Sequence, residues 1–102
     1  QFIAQQRASS CVLSATGVDA THGPTDPNPL ENEIKRAWAA VAGRGVLLLD
    51  ASKFGSRSAA VMIHPRRLHA IVTDAPPPPP IAECLTRHGV EVVVASPPPP
   101  LH

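Results

Sequence analysis

Asp50, Ser52 and Lys53 fall within four positions of one another, directly after the unbroken apolar run Val46-Leu47-Leu48-Leu49, in the stretch GVLLLDASKFG. An Asp or a Lys is almost never fully buried unless it is paired. Either these groups pair with each other at the rim of a core, or they face something that enters from outside. As an exposed ion pair they would contribute at most ~1 kcal/mol. As a site, Lys53 offers a cation to an anionic ligand and Asp50 an acceptor for hydroxyl groups. The pattern recurs: Cys11-Val12-Leu13 runs into Ser14 with Asp19 shortly after, and Ala70-Ile71-Val72 runs into Thr73-Asp74. In open α/β sheets, ligands bind outside the carboxyl ends of the strands. Asp19, Asp50 and Lys53 are therefore the expected contacts to a ligand at that edge.

The elements that must hold these residues are legible in part. Cys11 to Leu13 reads as a strand leaving into a polar loop, and Thr21 to Pro29, THGPTDPNP, reads as loop by composition. A helix follows, with Asn28 as N-cap, Pro29 at N1 and Glu31 at N3, an Asn-x-x-Glu version of the capping box. Leu30, Ile34, Ala37, Trp38 and Val41 make one apolar helical stripe, and Gly43 suits the left-handed C′ position. The run Val46 to Leu49 lacks the alternation of a half-exposed strand, so both its faces are expected to be covered, as in parallel sheets flanked by helices. Ser58 to Ile63 is a weaker strand candidate, stopped by Pro65. Ala70 to Asp74 is a further strand, Ile81 to His88 a short helix with Gly89 as its C′ residue, and Val90 to Val94 the last strand. This order predicts an α/β fold with a mostly parallel sheet flanked by helices. The runs Pro76 to Pro80 and Pro97 to Pro100 are expected outside the sheet in extended polyproline II geometry, the second within a tail at residues 96–102.

Composition narrows the function classes. A chain of 102 residues is one small domain, and a net charge of +1 gives no broad field for nucleic acid or anionic lipid. Cys11 and Cys84 lie far apart without ligand spacing and read as small buried hydrophobes of a reducing compartment. No stretch approaches the ~20 apolar residues of a membrane span. The chain lacks a starting Met and opens on QFIAQQ, mid-element in character, as expected of a fragment of a longer protein. The histidines show no metal-ligand spacing, and Ser14 and Ser52 lack the partners of a nucleophile. Gly43-Arg44-Gly45 sits between helix and strand, the wrong end for a phosphate loop. Arg66-Arg67, beside a proline, reads as a solvated turn.

The segments GVDATHGPTDPNPLENEIKRA, LLLDASKFG and IVTD resemble the effector-sensing domain of the DeoR family of bacterial transcription regulators. The matching positions are Gly17, Asp19, Gly23, Thr25, Asn28, Glu31, Lys35, Arg36, Asp50, Ser52, Lys53, Phe54, Gly55, Thr73 and Asp74. The resemblance spans Val12 to Val94, and its specificity lies in order and spacing. It implies that residues 1–95 are the C-terminal part of such a sensor, with a partial Rossmann-like fold similar to ribose-5-phosphate isomerase and glucosamine-6-phosphate deaminase. It further implies a phosphorylated sugar as effector, no cofactor, no enzymatic activity, a cytoplasmic location and a homo-oligomer. DNA would be reached only through a helix-turn-helix domain outside this chain, and the Gly-rich segment that helps hold the phosphate is also missing from it. Such a fragment is expected to self-associate and to bind effector weakly. An enzyme of the related isomerase or deaminase fold, with Asp19 or Asp74 as general base, is the alternative. A proline-rich ligand for an SH3-like groove is a further one.

Overall fold

The helix start shows how local chemistry sets an element here. In the computed structural model, which describes residues 10–58 and 60–95, the Asn28 side chain accepts the Glu31 N–H at 3.0 Å, and helix α1 spans Pro29–Ala42. The capping box is half made: the Asn28 N–H is taken by the Asp26 carboxylate at 3.2 Å, where the motif would use Glu31. Gly43 ends the helix at φ 83, in the left-handed region that favours glycine.

Four strands, β1 (Cys11–Ser14), β4 (Gly45–Leu49), β5 (Ala70–Thr73) and β6 (Glu91–Val94), form a parallel sheet in the order β1-β4-β5-β6. The register lines up Leu13, Leu47, Ile71 and Val92 in one row and Ser14, Leu48, Val72 and Val93 in the next. Side chains of successive rows point to opposite faces. On one face Cys11, Leu13, Leu47, Leu49 and Ile71 are buried, and they meet Ala39 and Ala42 of α1 and Ile81 and Leu85 of helix α2 (Pro79–Arg87) in a single core. The other face is largely open: Val12 and Leu48 are each 50% exposed. The strand read as covered on both sides is thus covered on one.

The apolar stripe of α1 also faces away from that core. Leu30 and Trp38 are 67% and 46% exposed, whereas Asn32, Ala39 and Ala42 are buried. Small residues allow α1 to lie close to the sheet, and Gly45 at the start of β4 sits against Ala39.

The segment expected as loop contains structure. Strands β2 (Gly17–Asp19) and β3 (Gly23–Thr25) pair as an antiparallel hairpin. The weaker strand expected at Ser58 to Ile63 is reduced to a bridge between Val61 and Thr25, flanked by Asp26 N–H to Ala60 O and Met62 N–H to Pro24 O bonds. The Pro76 run divides: Pro79 and Pro80 form the first turn of α2, where a missing N–H costs nothing. The Pro97 run lies outside the described residues. Cys11 and Cys84 are buried and free, and burial pushes the Cys11 thiol up. No helix among the described residues is long and apolar enough to cross a membrane.

Candidate functional site

The carboxyl ends of β1, β4 and β5 converge on one polar edge. After β4 the chain turns through a short 3-10 segment, Ala51–Lys53, with Asp50 as its cap accepting the Ser52 N–H at 3.1 Å. Asp74, at the end of β5, accepts the Ala51 N–H at 2.8 Å and ties that turn to the neighbouring strand. The opposite charges that end the apolar run do not pair: Asp50 is occupied with the turn, and Lys53 is exposed with no ion-pair partner among the described residues. Ser14, at the end of β1, gives its carbonyl to the Lys35 ammonium at 2.9 Å, and Lys35 also lies 3.6 Å from Asp26. Helix α1 is thereby anchored to the same edge.

The β2–β3 hairpin brings Asp19 to this edge. Phe54 bridges Val18, and the Gly55 N–H donates to Val18 O at 2.7 Å. A Cβ at Gly17 would collide with the carbonyl of Ser56, so only glycine allows the two segments to run this close. Asp19 therefore lies beside the turn that carries Lys53. Its carboxylate accepts the Thr21 N–H at 2.8 Å and the His22 N–H, and stands 3.4 Å from the His22 ring and 3.9 Å from Arg57. Burial pulls its pKa up, but the backbone N–H groups of His22 and Thr21, then the His22 ring, outweigh burial and hold it below its ordinary value. Asp19 is largely committed to closing its own hairpin.

Residues not expected as ligand contacts from the sequence lie next to it. His22, Thr25, Arg57, Ser58 and Val61 line a concavity of about 270 Å³. Thr25, fully buried, is its hub: its hydroxyl donates to Gly17 O at 3.4 Å and accepts the Ser58 N–H at 2.9 Å, while Thr16 bonds both Thr25 O and the Ser58 hydroxyl. Besides Lys35, which Ser14 O and Asp26 hold, the edge offers two cations, Lys53 and Arg57, an imidazole, and several hydroxyl and carboxylate acceptors. That set suits a small ligand carrying an anionic group and hydroxyls. Among the described residues no three His, Cys, Asp or Glu side chains are placed to hold a metal ion.

An open parallel sheet with polar groups gathered at its carboxyl edge has the form of an α/β ligand-binding domain. Residues 1–75 match the family described as DeoR C terminal sensor domain. The chain belongs to that family, the effector-sensing domains of DeoR-type transcription regulators, as the sequence resemblance implied. It is 44% identical over 64 residues to the HTH-type transcriptional regulator IolR of Bacillus subtilis, covering 63% of this chain and 26% of that protein. It is 31% identical over 91 residues to the glycerol-3-phosphate regulon repressor of Escherichia coli, covering 89% of this chain and 36% of that protein. A glycerol-3-phosphate regulon repressor from Shigella flexneri matches to the same extent. The chain thus spans roughly a third or less of the length of these curated relatives.

Proposed function

We propose that this chain is the effector-reading part of a cytoplasmic, oligomeric repressor, and that its effector is a phosphorylated sugar or polyol held at the carboxyl edge of the sheet. The observation that carries this reading is the unpaired Lys53 beside the hydroxyl and carboxylate acceptors of that edge. Lys53 meets the phosphate, Asp50 and Asp19 take hydroxyls through the carboxylate oxygens that their turn bonds leave over, and Arg57 supplies a second cation that the motif pattern did not single out. The name of one relative, a glycerol-3-phosphate regulon repressor, is in keeping with a small phosphorylated polyol. DNA is contacted by a helix-turn-helix region of the whole regulator, outside the residues described.

Of the two carboxylates that could act as a general base, Asp19 is set against that role by its surroundings. A general base works best with a pKa near the operating pH. A carboxylate held low by backbone N–H groups is a poor base for abstracting a sugar proton. Calorimetric titration of the complete regulator with a panel of sugar phosphates tests the assignment. Lys53→Ala is expected to weaken binding roughly tenfold through loss of a charge-assisted contact, whereas Arg87→Ala, on the exposed side of α2, leaves it unchanged. Equal effects of the two substitutions, or turnover of any sugar phosphate in the panel, would remove the reading.

A further inference from the structure

At the opposite edge of the sheet, where strands β4 and β5 begin, the C-terminal half of α1 and the segment Ile63–His69 flank an open concavity of about 410 Å³. Three arginines, Arg36, Arg66 and Arg67, line it together with His69, and no Asp or Glu does. The pair that reads as a solvated turn in the sequence is joined here by a third arginine from a separate element.

Several observations separate this cluster from ordinary surface charge. The ion pairs among the described residues engage His22, Lys35, Arg57 and Arg87, and none engages Arg36, Arg66 or Arg67. Arg36 is fixed in place, with Nη1 donating to Met62 O at 2.8 Å and to Val61 O at 3.4 Å, which leaves further N–H groups for another acceptor. The Nδ1 of His69 accepts the Gly45 N–H at 3.1 Å, so the neutral ring carries its proton on Nε2 as a donor. Cations near a helix C-terminus often serve its last carbonyls. Among the described residues neither the Arg66 nor the Arg67 side chain makes such a bond, so that role does not account for them. Nearby, partial desolvation first, and then Arg66, His88 and Arg67, hold the His64 imidazole below its ordinary pKa.

We propose that this cavity is a second anion site, taking a phosphate dianion that is free or carried by a small metabolite, separate from the effector site at the carboxyl edge. Guanidinium forks match phosphate oxygens bidentately, and the volume falls within the range of small-molecule sites. A concave cluster on a chain of net charge +1 suits a compact anion rather than a nucleic-acid backbone, which calls for a basic stripe.

The test is a titration of the 102-residue chain followed by NMR of the arginine Nε–Hε and histidine ring signals at constant ionic strength in chloride. One arm uses inorganic phosphate, a second ribose 5-phosphate, and a third a short DNA duplex. Saturable shifts are expected at Arg66, Arg67 and His69 in the first arm. Joint Arg66→Gln and Arg67→Gln substitution, at two exposed positions, should weaken that binding roughly tenfold or more, while Lys53→Ala leaves it unchanged. Tighter binding in the second arm assigns the phosphate to a metabolite, and equal binding to free phosphate. Absence of saturable shifts at the cavity, loss of the response in Lys53→Ala instead, or tighter binding of the duplex would each overturn the proposal.

Discussion

Leu47 and Leu48 are neighbours in one strand and differ in everything that surrounds them. Leu47 is completely buried in the core to which both helices contribute; Leu48 is half exposed on the other side of the same sheet. The difference corrects a habit of sequence reading. An unbroken apolar run says that both faces of a strand are apolar, and says nothing of whether this stretch of chain covers both. The same holds for α1, whose apolar stripe of Leu30, Ile34, Trp38 and Val41 looks outward while alanines do the packing. Among the described residues two apolar surfaces therefore stand open, one on the sheet and one on the outer side of the helix that covers the sheet's other face.

Mutations on the two sides put the contrast to the test. The largest effect is expected on the covered side: Leu47→Ala should cost about 2–5 kcal/mol, the range for a buried leucine whose cavity only partly collapses. Denaturant titration of the chain measures it, and a loss below ~1 kcal/mol would mean that the core is not packed as described.

Next in size is the hairpin that closes one end of that core. Asp19→Ala removes charge-assisted bonds to two backbone N–H groups and should cost about 1.5–3 kcal/mol at neutral pH. The folded carboxyl titrates below its ordinary 3.8, so its contribution is complete above that value and is lost as pH falls through the lowered one. Melts of wild type and Asp19→Ala should therefore converge in acid, and a constant gap between them would show that the carboxylate is not what matters.

The helix that does the covering depends on its cap. Asn28→Ala should lower stability by ~1 kcal/mol, and Glu31→Ala by almost nothing, because Asp26 already takes the Asn28 N–H. Equal losses in a thermal melt would restore the complete capping box. The smallest change in stability belongs to the open side: Leu48→Lys should alter it by no more than about 0.5 kcal/mol. It should nevertheless reduce self-association in light scattering, since exposed apolar patches mark association surfaces. Leu48→Lys as damaging as Leu47→Ala would mean that both faces are covered after all.

What could be read beforehand follows from the range of the interactions involved. The four strands of the main sheet and the capped helix announce themselves through contiguous residues: β-branched and leucine runs, an Asn-Pro start, a glycine stop. The β2–β3 hairpin does not, because Gly17–Thr25 is rich in turn formers and its strands are held by remote partners, Phe54 bridging Val18 and Val61 bridging Thr25. The candidate site divides in the same way. Asp50 and Lys53 were visible as polar residues ending an apolar run, and Asp19 as the polar residue after another. His22, Arg57 and Ser58 gather around Thr25 only once those long-range bridges form. The direction of the α1 stripe was equally out of reach: periodicity locates a stripe on a helix, and the partner that meets it is decided elsewhere.

The all-parallel sheet also has a consequence in time. Parallel neighbours cannot be joined by a tight turn, so each pairing in this sheet waits for a crossover to close. Among the described residues the one strand pairing local in sequence, β2 with β3, lies outside it. A hairpin of that kind forms in roughly 1–10 μs, whereas sheets dominated by distant pairings assemble on the order of milliseconds to seconds. Refolding of this chain is therefore expected to be slow for its size, with the hairpin flickering in and out long before Leu13, Leu47 and Ile71 come into line. Stopped-flow refolding completed within its dead time would contradict that sequence of events.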